Sequence, residues 1–373
     1  MAPLPIKTLL LVAVCLFIVW VRRQPAYDTF VHRISEIDTS LHLPRSGFNF
    51  SSPNYDHLGF YKSQVARDFC RHHGWPTFTP RSSNGERKVY DLFMVNSELD
   101  WMEIRLNTTY DYVDYFIVVE SPKTFQGGPK PLAIKDNWHK FARYHDKLVY
   151  HELVLPEGFN PPRAWDYEDL QRDAMYLQVF PKLQGRQRPV YGDVILVADV
   201  DEIVRPEALL VLRTCAFPRR LTLRSRFYYY SFQFLHQGGE WAHPQATSYE
   251  GRWTILPVNL RNGDGGLKPL YDLEKGTLWN AGWHCSSCFA TVEQFLNKLS
   301  SFSHKWMNQD EYRDRHRIAD HVRAGKDLWE REGEVYGRVE GNRDVPGLLL
   351  DEPERFGYLV NRDGPSAGFS DYP

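Results

Sequence analysis

The sequence predicts an α/β protein with a mixed central sheet, and three observations carry that expectation. Apolar runs at residues 89–95, 113–119 and 194–198 alternate with helical patterns, as in parallel-sheet folds. Residues 194–198 are uncharged and three of the five are β-branched, the texture of a strand covered on both faces. Beyond Arg219 the texture changes, and residues 221–234 largely alternate polar and apolar side chains like an antiparallel strand.

At the N-terminus, residues 9–21 form an unbroken apolar run closed by Arg22 and Arg23. Its length is marginal for a bilayer span. No small-x-small cleavage site follows it, so residues 1–23 read as an uncleaved signal anchor. Residues 24–62 mix charge, Ser, Pro and Asn without periodicity and read as a stem. A body over 63–362 and a polar tail over 363–373 complete the expected organisation. The sequons at Asn49 and Asn107 agree with a lumenal body.

Within the body, the first strand is expected at 89–95, with Asn96 and Glu98 at its polar exit and a helix over 98–106. Strands follow at 113–119, ending in Glu120, and at 148–155. A helix over 165–180 places Leu170, Ala174 and Leu177 on one face. After the strand at 194–198 come Asp199, Asp201 and Glu202, and then a helix from Pro206 to Arg213. An unpaired carboxylate is costly to bury. The cluster therefore belongs at the strand's C-terminal mouth, where open α/β sheets bind ligands. Three acids there, with no adjacent base, suit a divalent cation held by oxygen ligands. Residues 237–283 read as Gly-, Pro- and Trp-rich loops, and 292–331 as a helical region.

Composition narrows the function. The chain has 45 basic and 47 acidic residues and a net charge of −2, so it lacks the electrostatic footprint of a nucleic-acid binder. No P-loop and no G-x-S-x-G elbow occur. Eleven Trp and 21 Tyr suit a cleft for sugar-like ligands, or a thick core. Outside the apolar N-terminal run, Cys70, Cys215, Cys285 and Cys288 allow two disulfides in any of three connectivities. A zinc site or a redox C-x-x-C are the alternatives. An acidic cluster after a parallel strand, beside an aromatic antiparallel half, suits sugar transfer from a nucleotide sugar, where a cation stabilises a diphosphate leaving group.

Separated blocks of the chain resemble glycosyltransferase family 17. They are Val89-Tyr90-Asp91-Leu92-Phe93 through Glu98-Leu99-Asp100, Glu103-Ile104-Arg105-Leu106, and Val118-Val119-Glu120-Ser121 with Thr124-Phe125-Gln126-Gly127 and Lys130-Pro131-Leu132. Gln171-Arg172-Asp173, Asp199-Val200-Asp201-Glu202-Ile203 and Ala281 through Phe289 complete the set. The resemblance implies a GT-A-like nucleotide-sugar-binding fold, a UDP-GlcNAc donor, and inverting transfer to an N-glycan β-mannose in a β-1,4 linkage. It also implies a type II Golgi membrane topology. By the same resemblance Asp201 would ligate Mn²⁺ or another divalent cation, and Asp199 would contact the ribose or a metal-bound water. Glu202 would orient the loop, and His284 would be a late metal or diphosphate ligand or else a hydrogen-bonded core histidine. Asn96, Glu98 and Glu120 would lie near the nucleotide. Lys130 and Arg172 would neutralise the diphosphate or form structural ion pairs. An inverting reaction needs a carboxylate base, for which Glu240, Glu250 and Glu293 are the candidates. Two rival readings are a lumenal glycan-binding protein without activity and a haloacid-dehalogenase-type phosphohydrolase. In the latter a Thr or Val usually follows the second Asp by two positions, where this chain has Ile203.

Overall fold

The computed structural model describes residues 64–80, 87–266 and 271–373. The expected anchor, the stem and Asn49 lie outside these residues. Among the described residues no helix is long and apolar enough to cross a membrane.

The parallel half is built from β1 (Val89–Met94), β2 (Tyr115–Glu120), β3 (Leu148–Glu152) and β4 (Val194–Asp199), side by side in the order β3-β2-β1-β4. Alternate residues of a strand face opposite ways, and here both faces are covered. Val89 and Phe93 join one core cluster with Val194 and Leu196, while Tyr90 and Leu92 join another with Ile195 and Val197. None of residues 194–198 is more than 1% exposed, which is why the run carries no charge.

Helices α1 (Gln64–His72), α2 (Leu99–Thr109), α3 (Ala164–Leu177) and α4 (Pro206–Thr214) flank this half. α2 and α4 pack on the first face, and α3 packs on the second. The buried side of α3 carries Tyr167, Gln171, Ala174 and Met175, whereas Leu177, expected on that side, is 54% exposed. The polar members Gln171 and Arg172 are buried because they bond inward, and a hydrophobic count assigns them to solvent.

The antiparallel half departs further from expectation. Residues 221–234 do not form one strand: β6 (Arg220–Tyr229) and β7 (Ser231–His236) meet at Tyr230, which adopts φ 64°. No Gly, Pro or Asn marks that reversal. Instead, Tyr230 is held by the Arg362 guanidinium, which donates to its carbonyl, and by its own hydroxyl, which donates to the Lys326 carbonyl at 2.9 Å. Ahead of these strands, β5 (Glu202–Val204) follows the acidic cluster directly. The expected loops of 237–283 contain β8 (Gln245–Ser248), helix α5 (Pro257–Asn262) and most of β9 (Lys275–Ser286). The helical region divides into α6 (Val292–Ser301), opened by a Thr291/Gln294 capping box, and α7 (Arg315–Ala324). β10 (Tyr336–Arg338) closes the sheet against β7.

β9 connects the two halves. It runs parallel to β6 and antiparallel to β5, setting His284 opposite Glu202 and beside Phe227. A Cβ at Gly282 would lie 2.6 Å from the Ile203 carbonyl oxygen and 2.7 Å from Ser225 Oγ, so only glycine lets β9 approach β5 this closely.

Two disulfides form. Cys70–Cys215 ties α1 to the end of α4, with Cα atoms 5.4 Å apart, and Cys285–Cys288 closes the turn that leaves β9. All four cysteines are thereby paired, which leaves no thiolate for a zinc site. Cys285 ends a strand and does not open a helix, the position a redox C-x-x-C would take.

Candidate active site

In the order β3-β2-β1-β4 the chain changes direction between β1 and β4, and ligands bind at such a switch point beyond the carboxyl ends of the strands. A cavity of about 270 Å³ occurs there, lined by Met94, Val95 and Asn96 at the end of β1 and by Asp199, Val200 and Asp201 at the end of β4. Its far wall comes from the antiparallel half.

The three acids of the cluster have separate environments. Glu202 is fully buried and saturated. Arg261 donates to its two oxygens at 2.9 and 2.8 Å, Trp241 Nε1 donates at 2.8 Å, and the Asp199 backbone N–H donates at 2.8 Å. Burial opposes its charge, yet Arg261 holds its carboxyl well below the usual range. Asp199 accepts from Arg172 at 2.9 Å and from Arg261 at 2.7 Å; these cations outweigh burial and keep its pKa low. Both residues therefore brace the loop, and neither Asp199 oxygen is uncommitted.

Asp201 differs. No arginine or lysine pairs with it within 4.0 Å among the described residues, and burial, reinforced by Asp199 and Glu202, pushes its carboxyl up to about 7 against the opposing pull of Lys298. Its Oδ1 lies 3.7 Å from His284 Nδ1, a buried nitrogen with no well-formed hydrogen bond. Burial lowers His284 to about 4, so the imidazole is neutral, the form that ligates metals. Its ring lies within 20° of parallel to both Trp241, at 4.7 Å, and Phe227, at 5.1 Å, and these two rings are themselves 5.3 Å apart, so the three form one cluster. Among the described residues no three His, Cys, Asp or Glu side chains converge on one point. Two protein donors nevertheless suffice for a cation that shares its shell with substrate phosphates. The residues present fit a divalent ion held by Asp201 and His284.

Of the proposed nucleotide contacts, Asn96 and Glu98 line the cavity. Asn96 Nδ2 donates to Ser301 Oγ at 2.8 Å, and Glu98 Oε2 accepts from the backbone N–H groups of Asn96 and Ser97. Glu120 does not line it: fully buried, it accepts from the Ile134 and Lys135 backbones and from Tyr150. Lys130 donates to the Asn96 carbonyl at 2.9 Å, and Arg172 bridges Asp199 and Glu168; both are internal ion-pair and hydrogen-bond partners rather than cavity walls. The base candidates also lie outside the lining. Glu240 accepts from the Asn280 backbone, Glu250 pairs with Arg219 at 2.8 Å, and Glu293 is an exposed partner of Arg315. Asn107 sits half-buried within α2, and the Thr109 hydroxyl of its sequon donates to the Arg105 carbonyl.

Several site residues escaped sequence reasoning. Arg105, inside one of the resemblance blocks, pairs with Asp91 and donates to the carbonyls of Asp199 and Glu202, anchoring the acidic loop from beneath. Arg261 and Trp241 come from stretches expected to be loops. Lys298 of α6 lines the cavity, with no carboxylate within 4.0 Å among the described residues and the rings of Phe289 and Phe302 each 5.4 Å away. Its only sequence signal was membership of a charged helix.

A mixed α/β sheet with an acid-and-imidazole cavity at its switch point has the architecture of a ligand-binding α/β protein. The chain belongs to glycosyltransferase family 17, whose model matches residues 5–361. It is 24% identical over 310 residues to the Homo sapiens β-1,4-mannosyl-glycoprotein 4-β-N-acetylglucosaminyltransferase, covering 74% of this chain and 55% of that one. The Rattus norvegicus enzyme of the same name is also 24% identical, over 309 residues, covering 74% and 54%. The chain thus spans about half the length of the curated relatives it matches. Among solved structures it is similar to a Pyrobaculum calidifontis mannosyltransferase in complex with GDP-Man and Mn²⁺, at 12% identity and a TM-score of 0.31, covering 82% of this chain and 78% of that one. A mycobacterial protein matches with the same TM-score at 13% identity, covering 62% and 72%. These structural likenesses are too distant to carry an argument.

Proposed function

We propose that the chain is an inverting glycosyltransferase of GT-A-like fold that uses a divalent cation such as Mn²⁺. In this reading it moves GlcNAc from UDP-GlcNAc to the β-mannose of an N-glycan in a β-1,4 linkage. It works in the Golgi lumen behind a type II anchor formed by residues 1–23. The observation that carries the reading is the pairing of Asp201 with His284 in the cavity of a family 17 chain.

Asp201 and His284 would hold the cation, which when bound would supply positive charge that stabilises a diphosphate leaving group. Lys298 adds a fixed charge on the same cavity, and a charge preorganised in a dry site stabilises a developing anion without reorganisation. Arg105, Arg172 and Arg261 keep the loop of Asp199 and Glu202 in one conformation, so Asp201 needs no rearrangement to bind. Phe227, Trp241 and Phe302 line the cavity and exclude water from the reacting atoms. Beside it, Trp165 and Trp306 are 42% and 49% exposed and flank His304, an aromatic surface suited to an acceptor sugar.

The test replaces residues 1–23 with a cleavable secretion signal and screens nucleotide sugars against N-glycan acceptors with Mn²⁺, reading UDP release and product mass. A product heavier by one N-acetylhexosamine supports the reading. Glycan binding without nucleotide release from any donor would instead make the chain a lumenal glycan-binding protein.

A further inference from the structure

Inverting transfer needs a group to take the proton of the attacking hydroxyl, on the side of the sugar away from the diphosphate. Five carboxylates line the cavity: Glu98, Glu168, Asp199, Asp201 and Glu334. Glu98 Oε2 is tied to the loop that precedes α2 by the backbone N–H groups of Asn96 and Ser97. Glu168 accepts from Arg172 at 2.7 Å and from Ser303 at 2.6 Å, and Asp199 is held between two guanidinium groups. Asp201 faces His284. Glu334 remains, and it is built differently from the rest.

Glu334 comes from the antiparallel half, two residues before Tyr336 of β10. The β10–β7 pairing sets Tyr336 directly opposite His236. The Tyr336 hydroxyl donates to Glu334 Oε2 at 2.8 Å, and His236 Nε2 lies 3.5 Å from the same oxygen. The Tyr336 ring stacks on Tyr229 at 4.5 Å and 7°, which fixes the donor. Among the described residues the nearest lysine or arginine nitrogen is Arg331 Nη2 at 4.0 Å, and Arg331 is committed to Asp327 at 2.7 Å. The carboxylate is therefore oriented but not neutralised, with 28% of its side chain exposed. His236 Nδ1 is buried without a hydrogen-bond partner. Phe227 separates the two chemistries, its ring 5.1 Å from His284 on one side and 5.1 Å from His236 on the other. The acid thus lies across an aromatic ring from the cation ligands.

We propose that Glu334 is the catalytic base, with His236 and Tyr336 as its positioning residues. The assignment rests on the glycosyltransferase reading above. As the acceptor oxygen forms its bond to the anomeric carbon, the bond from that carbon to the diphosphate oxygen breaks and its electron pair leaves with the diphosphate. The hydroxyl proton passes to the Glu334 carboxylate, and the configuration inverts.

The experiment compares wild type, Glu334→Gln, Glu334→Asp and His236→Asn, measuring kcat from pH 5 to 9, Mn²⁺-dependent UDP binding by calorimetry, and thermal melting. Glu334→Gln keeps the shape that Tyr336 bonds. It is expected to lower kcat by about 10²–10⁴-fold, with UDP affinity within about twofold and the acidic limb of the pH profile gone. Glu334→Asp is expected to fall between the two. His236→Asn is expected to move the acidic limb, because His236, Tyr336 and Arg331 are the groups facing this carboxylate. A Glu334→Gln enzyme above half the wild-type kcat overturns the assignment, as does an equal loss of UDP binding and rate. Should Glu334→Gln fail to fold, Glu334→Asp and His236→Asn profiles unchanged from wild type overturn it too. No transfer by wild type itself would count against the glycosyltransferase reading.

Discussion

His284 Nδ1 lies 3.7 Å from Asp201 Oδ1, and neither atom is claimed by a strong partner. Around them the other two acids of the cluster and the loop carbonyls are committed: Glu202 and Asp199 to Arg261, and the carbonyls of Asp199 and Glu202 to Arg105. Such a concentration of satisfied ion pairs about one unsatisfied acid–imidazole pair marks where the protein has kept interaction capacity for a ligand.

Asp201 should therefore destabilise the metal-free protein. Its carboxyl is raised from 3.8 to about 7 by burial first, so the folded state holds a proton that the unfolded state releases. A raised acid contributes stability below the unfolded value and loses it as pH climbs toward the folded one. Asp201→Asn mimics the protonated form and should melt above wild type at pH 8. The difference should be worth a few kcal/mol, since a tenfold change in proton affinity on folding corresponds to about 1.4 kcal/mol. The gap should close toward pH 4, and saturating Mn²⁺ should close it at pH 8 by stabilising wild type alone. Calorimetric melts that show no pH dependence of the gap would count against this environment for Asp201.

Arg261 has the opposite role. Removing it as Arg261→Ala leaves Glu202 buried and uncompensated, which costs about 3–5 kcal/mol when one partner of a buried pair is lost. Because the Glu202 carboxyl is depressed, that contribution is present above the unfolded value of 4.5 and is lost as pH falls below it. Urea unfolding at pH 7 and at pH 4 should show the deficit shrinking at the lower pH. An equal deficit at both would mean Arg261 acts through packing alone.

The two disulfides should separate stability from activity. Cys70–Cys215 closes 145 residues of sequence and neither cysteine lines the cavity, so its serine pair should cost about 2–5 kcal/mol with kcat unchanged. Cys285–Cys288 closes a separation of three, so its chain-entropy contribution is smaller, about 2 kcal/mol. It fixes the turn between His284 and the cavity residues Ser286 and Ser287, the latter at φ 57°. Its serine pair should lower the transfer rate and weaken Mn²⁺ affinity more than it lowers the melting temperature. Melting curves and rates on both variants check the contrast.

Much of the parallel half was legible because burial on both faces writes an uncharged run into the sequence, as at Val194 to Ala198, and because the acids follow it directly. The antiparallel half was not. Tyr230 reverses the chain inside Phe227-Tyr228-Tyr229-Tyr230-Ser231 with no Gly, Pro, Asn or Asp, held from residues about 100 and 130 positions later. Arg261, Trp241 and Glu334 reach the site only through tertiary folding, so no local spacing announces them. Glu240, Glu250 and Glu293 lay in the right half of the sequence but bond elsewhere. His284 stood in a block that resembles the family, and β9 places it opposite Glu202 in the cavity wall.

The most direct measurement is the rate of N-acetylhexosamine transfer from UDP-GlcNAc to an N-glycan acceptor, for wild type and Asp201→Asn, with Mn²⁺ and with EDTA. Wild type should require the cation. Asp201→Asn should lose about 10²–10³-fold or more in rate while melting at or above the wild-type temperature at pH 8. Full activity of Asp201→Asn, or of wild type in EDTA, would contradict the role of Asp201 and His284 in holding a cation for transfer.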